Sequence, residues 1–137
     1  MQFSTLLALA LSLSTAANAL SGRGTIQKRD CYKEGVVWGN DKAFALNAIA
    51  DACNDPNFAE RYYTANSGWI VCKDLPNNRR VDYKIYANKA RWVNRGECNE
   101  YLRFEVDGCP QGGERTWYDV VFSADPGQGS CANPETD

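Results

Sequence analysis

The chain of 137 residues contains no histidine. That absence removes hydrolases built on Ser-His-Asp or Cys-His pairs, and the histidine-dependent ribonucleases, because each needs a base that titrates near neutrality. It also withdraws support for a Cys/His zinc site, since the cysteines form no C-x-x-C or C-x-C spacing. No Asn-x-Ser/Thr sequon occurs, because Asn66-Ser67-Gly68 carries its serine one place too early for N-glycosylation. Neither a metal nor another cofactor is implied by these residues.

What is present begins with an apolar run from Phe3 to Ala19, FSTLLALALSLSTAANA, that closes on the small-x-small triplet Ala17-Asn18-Ala19. The run is shorter than the ~20 residues a membrane-spanning helix needs, so it reads as a secretory signal with cleavage after Ala19, over residues 1–19. No stable membrane insertion is expected. Residues 20–29, LSGRGTIQKR, are small, polar and unpatterned, and end in Lys28-Arg29 directly before the first cysteine. A dibasic pair in an extended flexible segment suits a furin- or Kex-type protease, so a pro-segment is predicted to end there and the working domain to span residues 30–137.

That domain is one unit by length. It keeps twelve Lys and Arg against seventeen Asp and Glu, a formal charge of -5. Nucleic acid is therefore not an expected partner, because phosphate contacts require a basic face. All six cysteines, Cys31, Cys53, Cys72, Cys98, Cys109 and Cys131, fall within it. An even count behind a secretory signal predicts three disulfides and an extracellular location, with fifteen pairings open.

Periodicity predicts a strand at Gly35 to Trp38, then a helix over DKAFALNAIADAC with Leu46, Ile49, Ala50 and Cys53 inward. A hairpin follows, from Gly68–Cys72 and Arg79–Tyr86 around Pro76-Asn77-Asn78, with Val81, Tyr83 and Ile85 alternating against polar neighbours. A second helix over Glu97–Asp107 aligns Cys98, Leu102, Val106 and Cys109, and Thr116–Ser123 reads as a last strand. The predicted class is α+β, a small disulfide-stapled α/β sandwich of β-α-β-β-α-β order with both helices on one face of an antiparallel sheet.

With the bases missing, a paired-carboxylate glycosidase needs only Asp and Glu. Glu97, Glu100, Glu105, Asp119 and Asp125 are the candidates, and nothing in the pattern sets two of them across a cleft, so a non-enzymatic role is favoured. Aromatics give the positive signal: four tryptophans and seven tyrosines, several beside planar or polar groups. A ring beside Asn, Asp and Arg stacks on the C–H face of a sugar while the polar groups bond its hydroxyls. Trp92, Arg91, Asn88, Tyr86, Tyr118 and Asp119 are the predicted ligand-binding set. Trp38 and Trp69, within strand runs, are predicted core. Arg79, Arg80, Lys84, Lys89, Arg91 and Arg95 add a basic segment suited to an anionic partner or to a solvated sheet face.

The stretches GVVWGNDKAFALNAIADAC, VDYKI, CNEYLRFEVDGCPQGG and ADPGQGSC resemble small secreted fungal glycan-binding proteins known from mushrooms, cysteine-stapled α/β sandwiches with lectin activity. The resemblance runs from about Cys31 to Cys131 and implies a glycan or glycoconjugate as partner. The order of elements and the signal with its dibasic pro-segment are also similar to the fungal killer-toxin fold and related host-directed effectors, which implies the alternative of a toxin activated by cleavage at Lys28-Arg29.

Overall fold

A computed structural model describes residues 29–136. Ala19 and Lys28 of the predicted processing sites lie outside that range. The chain is α+β: strands β1 (Arg29–Cys31), β2 (Arg61–Tyr63), β3 (Ser67–Leu75), β4 (Arg79–Ala87), β5 (Arg91–Val93), β6 (Gly113–Trp117) and β7 (Val120–Gln128), with helices α1 (Lys42–Cys53) and α2 (Arg95–Gly108) and a 3-10 turn at Gly39–Asp41. Five strands form an antiparallel sheet in the order β1-β6-β7-β4-β3, and β2 and β5 form a separate antiparallel ribbon.

This order differs from β-α-β-β-α-β. Gly35–Trp38 is irregular, because Trp38 is spent as an anchor: its backbone N–H and its indole Nε1–H donate to the carbonyls of Pro110 and Cys109, at 2.9 and 2.7 Å. The first strand lies earlier, at Arg29–Cys31, so a cut after Arg29 would fall inside β1, between a residue opposite Arg115 and one opposite Glu114. The predicted last strand is a hairpin, β6 and β7, turned by Tyr118 and Asp119.

Alternation along β4 sends Val81, Tyr83, Ile85 and Ala87 into the core. In register with them, Val71 and Leu75 of β3 and Val120, Phe122 and Ala124 of β7 bury the same face. Both helices cover it. The Tyr83 hydroxyl donates to the Ala45 carbonyl of α1, and Tyr101 of α2 packs its ring 5.1 Å from that of Phe122. In α1 the predicted Ile49 and Cys53 are buried and Leu46 packs partly against the core, while Ala45 and Ala52 complete the stripe in place of Ala50, which is exposed. In α2 Cys98, Leu102 and Val106 are inward as expected, joined by Tyr101 and Glu105. The disulfides are Cys31–Cys109, Cys53–Cys98 and Cys72–Cys131. Among the described residues no helix is long and apolar enough to cross a membrane.

Trp69 is 45% exposed, against the expected core position. It points to the helix side of the sheet, opposite Ile85, but β3 is an edge strand; the Arg61 guanidinium lies 5.8 Å from the ring.

Burial, acting on buried phenols, pushes the hydroxyls of Tyr63 and Tyr101 up to about 12 and raises that of Tyr83. These groups keep their protons in the folded state past the ordinary tyrosine value of ~10. The unfolded chain then binds fewer protons than the folded one. Their contribution to stability is therefore complete below pH ~10 and is lost as pH rises through about 12. An alkaline unfolding transition is expected in that window, with Tyr63, Tyr83 and Tyr101 ionising only as the fold is lost. Phenolate absorbance followed alongside circular dichroism checks this; all seven tyrosines titrating near pH ~10 with the fold intact would refute it.

Candidate functional site

The β4–β5 connection and the β6–β7 turn meet at one end of the molecule. The Asn88 N–H donates to the Asp119 carbonyl at 2.8 Å, and Lys89 Nζ stands 3.8 Å from Asp119 Oδ2. Arg91 ties the region together. Its Nη1 donates to the Tyr118 carbonyl and its Nε to the Trp92 carbonyl, both at 3.2 Å, its Nη2 donates to Glu97 Oε1, and its guanidinium lies 5.9 Å from the Tyr118 ring centroid.

Glu97 is held in turn by the start of α2. Asn94 caps that helix by accepting from the Glu97 N–H at 2.8 Å, and Glu97 Oε2 accepts from the Asn94 N–H at 3.2 Å, a reciprocal capping box. Glu60 Oε1 takes the Arg95 N–H at 2.6 Å, satisfying a further free donor of the first turn. The helix terminus thus fixes Glu97, Glu97 fixes Arg91, and Arg91 fixes the turn.

Tyr118 and Asp119 both have positive φ, 44° and 63°. Two-residue hairpins of this kind favour Asn-Gly, because a side chain is disfavoured there. Tyr118 is nevertheless placed at the tip, 52% exposed, with its ring edge-on to Trp117 at 4.7 Å. On the outer face of the β2–β5 ribbon, Trp92 stands directly opposite Tyr62. Both rings are more than half exposed, 51% and 57%. Directly opposed positions have Cβ atoms about 5 Å apart, so the two side chains share the ribbon's outer face.

Of the six predicted residues, Arg91, Asn88, Tyr118 and Asp119 are therefore brought together, Trp92 joins them through its backbone carbonyl while its ring lies on the outer face of the ribbon, and Tyr86 is not with them. Tyr86 lies on the open face of the main sheet, opposite Gly68 and Val121. Arg91 braces the region, three of its five N–H donors being given to protein acceptors. Tyr62 was missed. Its signal was the Arg61-Tyr62-Tyr63 alternation, which buries Tyr63 and Val93 behind the ribbon and turns Tyr62 and Trp92 outward.

The carboxylates proposed for a glycosidase are dispersed. Glu97 caps a helix, Glu105 is fully buried against Arg115 at 3.1 Å, and Asp119 is in the turn. The basic segment is dispersed as well, because strand alternation sends Arg79 inward to Asp41 at 2.7 Å and Arg80 outward to Asp82 at 3.2 Å. No family model matches the chain, and no curated protein matches it.

Proposed function

We propose that the protein is a secreted, non-enzymatic glycan-binding module of the lectin-like α/β sandwich type. The observation that carries this reading is the Tyr62–Trp92 pair, two large rings left in solvent on a short ribbon whose backbone is braced through Arg91 and Glu97. Exposed paired rings lose little entropy on stacking against a sugar. Asn88, Asp119 and Lys89 at the adjoining turn supply donors and acceptors for hydroxyls. Three disulfides suit an oxidising, extracellular setting.

The test is a glycan array with disulfide-intact protein, followed by titration of the best ligand. Trp92→Ala is expected to weaken binding by up to ~10-fold, from the ~0.5–1.5 kcal/mol that aromatic contact adds, with the melting temperature little changed. Arg91→Lys is expected to weaken it by loosening the turn, since a lysine cannot bridge the Trp92 and Tyr118 carbonyls and Glu97 together. Unchanged affinity in Trp92→Ala would sink the site.

A further inference from the structure

The two edges of the main sheet are built differently. At one, β1 is three residues long, carries Arg29 and Asp30, and is followed closely by Lys33 and Glu34, the short charged form that keeps a sheet edge from pairing. At the other, β3 is nine residues long, and among the described residues no strand lies on its outer side. Its second half is guarded. Lys73 and Asp74 are charged, Asp74 Oδ1 accepts the Cys131 N–H at 2.7 Å, and Cys72 is bonded to Cys131, so the C-terminal tail is anchored there. The first half, Ser67 to Val71, has no charge and no proline, and its register with β4 runs without a bulge.

Gly68, Trp69 and Ile70 are exposed in succession, Ile70 at 60%. Consecutive strand residues point to opposite faces, so exposure of all three means that the edge itself is open. Trp69 stands on the helix side opposite Ile85, and Ile70 on the other face opposite Lys84. Beside Ile70 lies a depression of about 530 Å³ lined by Gly68, Trp69, Ile70, Lys84 and Tyr86. Gly68 gives it no side chain, and the Tyr86 ring leans over that position, where an added Cβ would come within 2.9 Å of Tyr86 Cδ2.

We infer that this half-strand pairs, antiparallel, with the same half-strand of a second copy of the chain about a two-fold axis through Trp69. Such an axis, perpendicular to the sheet, keeps helix side beside helix side, and the pleat then requires a residue rather than a peptide bond at the centre. Centring on Trp69 sets Ser67 against Val71 and Gly68 against Ile70 of the second copy, and uses only the unguarded half. Centring one residue further on would set Gly68 against Cys72 and Ser67 against Lys73, bringing the tail's anchor into the joint. In the Trp69 register each Ile70 meets the place where the other copy has no side chain and packs on its Tyr86 ring. Bump and hollow belong to one surface and are reciprocal, as a two-fold contact demands, which is why a second copy is the occupant it fits. The two Trp69 side chains meet across the axis with Cβ atoms about 5 Å apart.

Five paired residues per copy span roughly 17 Å at ~3.4 Å each. A contact of that length, with two large side chains from each copy, falls below the ~1,200 Å² of a standard interface, so the dimer is weak and reversible.

Sedimentation equilibrium of the disulfide-intact protein from about 10 µM to about 1 mM tests this, with a monomer–dimer dissociation constant of roughly 0.1–1 mM expected. Ile70→Lys is expected to remove the dimer, because an edge lysine opposes pairing. Ile70 is exposed, so the circular dichroism and melting temperature of that variant should match the parent. Trp69→Cys is expected to give a covalent dimer on mild oxidation, since directly opposed Cβ atoms lie within reach of a disulfide, and Ile70→Cys is not. A protein that stays monomeric at about 1 mM would overturn the proposal. So would a dimer that Ile70→Lys leaves unchanged, a covalent dimer formed through Ile70→Cys but not through Trp69→Cys, or association that runs past the dimer. None of these residues belongs to the Trp92 surface, so self-association and glycan affinity are read separately.

Discussion

Replacing Arg115 with alanine is expected to cost the domain about 3–5 kcal/mol, the largest single-residue effect foreseen for it. Arg115 leaves β6 on the helix side and donates from Nε to Glu105 Oε1 at 3.1 Å. The two side chains are 11% and 0% exposed. The guanidinium also covers the Phe104 ring, 4.6 Å from its centroid. Removing it takes this counter-charge from a carboxylate in the core, beside the Cys109 sulfur and under Gly113, where even an added Cβ would come within 3.0 Å of Glu105 Oε2. At roughly 4–8 °C per kcal/mol for a domain of this size, the melting temperature should fall by at least about 12 °C.

The pair itself is a different matter. Two charges taken from water gain little net stability, so Glu105→Gln combined with Arg115→Met is expected to recover most of the loss. Urea unfolding of the single and double variants checks both statements. An Arg115→Ala variant within ~1 kcal/mol of the parent would show that the Glu105 charge is compensated without Arg115.

The second large effect belongs to Cys53–Cys98. This bond joins the last residue of α1 to the first turn of α2, with both residues buried, and closes a separation of 45 residues. Loop-closure entropy alone puts its contribution at about 4 kcal/mol, with typical measured values of about 2–4. Replacing both cysteines by alanine should therefore remove a large share of the stability of so small a domain.

Cys72–Cys131 makes the contrast. It closes 59 residues, and loop length alone would rank it slightly higher. Yet Cys131 sits in the C-terminal tail, held otherwise by contacts such as its N–H to Asp74 Oδ1 at 2.7 Å and the Gly129 N–H to the Asn78 carbonyl. Without the bond the tail can fray while the core stays intact, so the loss is capped by what the tail's docking was worth. The expected order of destabilisation is Cys53–Cys98 well above Cys72–Cys131, read from chemical unfolding of the two double-alanine variants. The reverse order would mean that the tail is an integral part of the folding unit.

Composition and period alone determined a good deal. The missing histidine removed the histidine-dependent hydrolytic chemistries, and the even cysteine count implied three disulfides. The 2.0 and 3.6 periods located the β3–β4 hairpin and both helices to within a few residues, because a face that must be dry is written locally as repeated apolar side chains. Polar neighbours of Arg91 and Trp92 pointed to the end of the molecule where Asn88, Tyr118 and Asp119 also gather.

Only the tertiary structure decided the rest, and in each case the deciding contact spans residues far apart in the chain. The pairing of six cysteines depends on which helix ends meet. Trp69 is half in solvent because β3 lies at a sheet edge, a matter of strand order that no local pattern encodes. Glu105 reads as a surface carboxylate until Arg115, brought by β6, makes its burial tolerable. Tyr86 and Trp92 are six positions apart yet lie in different sheets, since one follows the pleat of the main sheet and the other that of the small ribbon. Period tells which residues share a face; which face a ligand can reach is set by what the rest of the chain leaves uncovered.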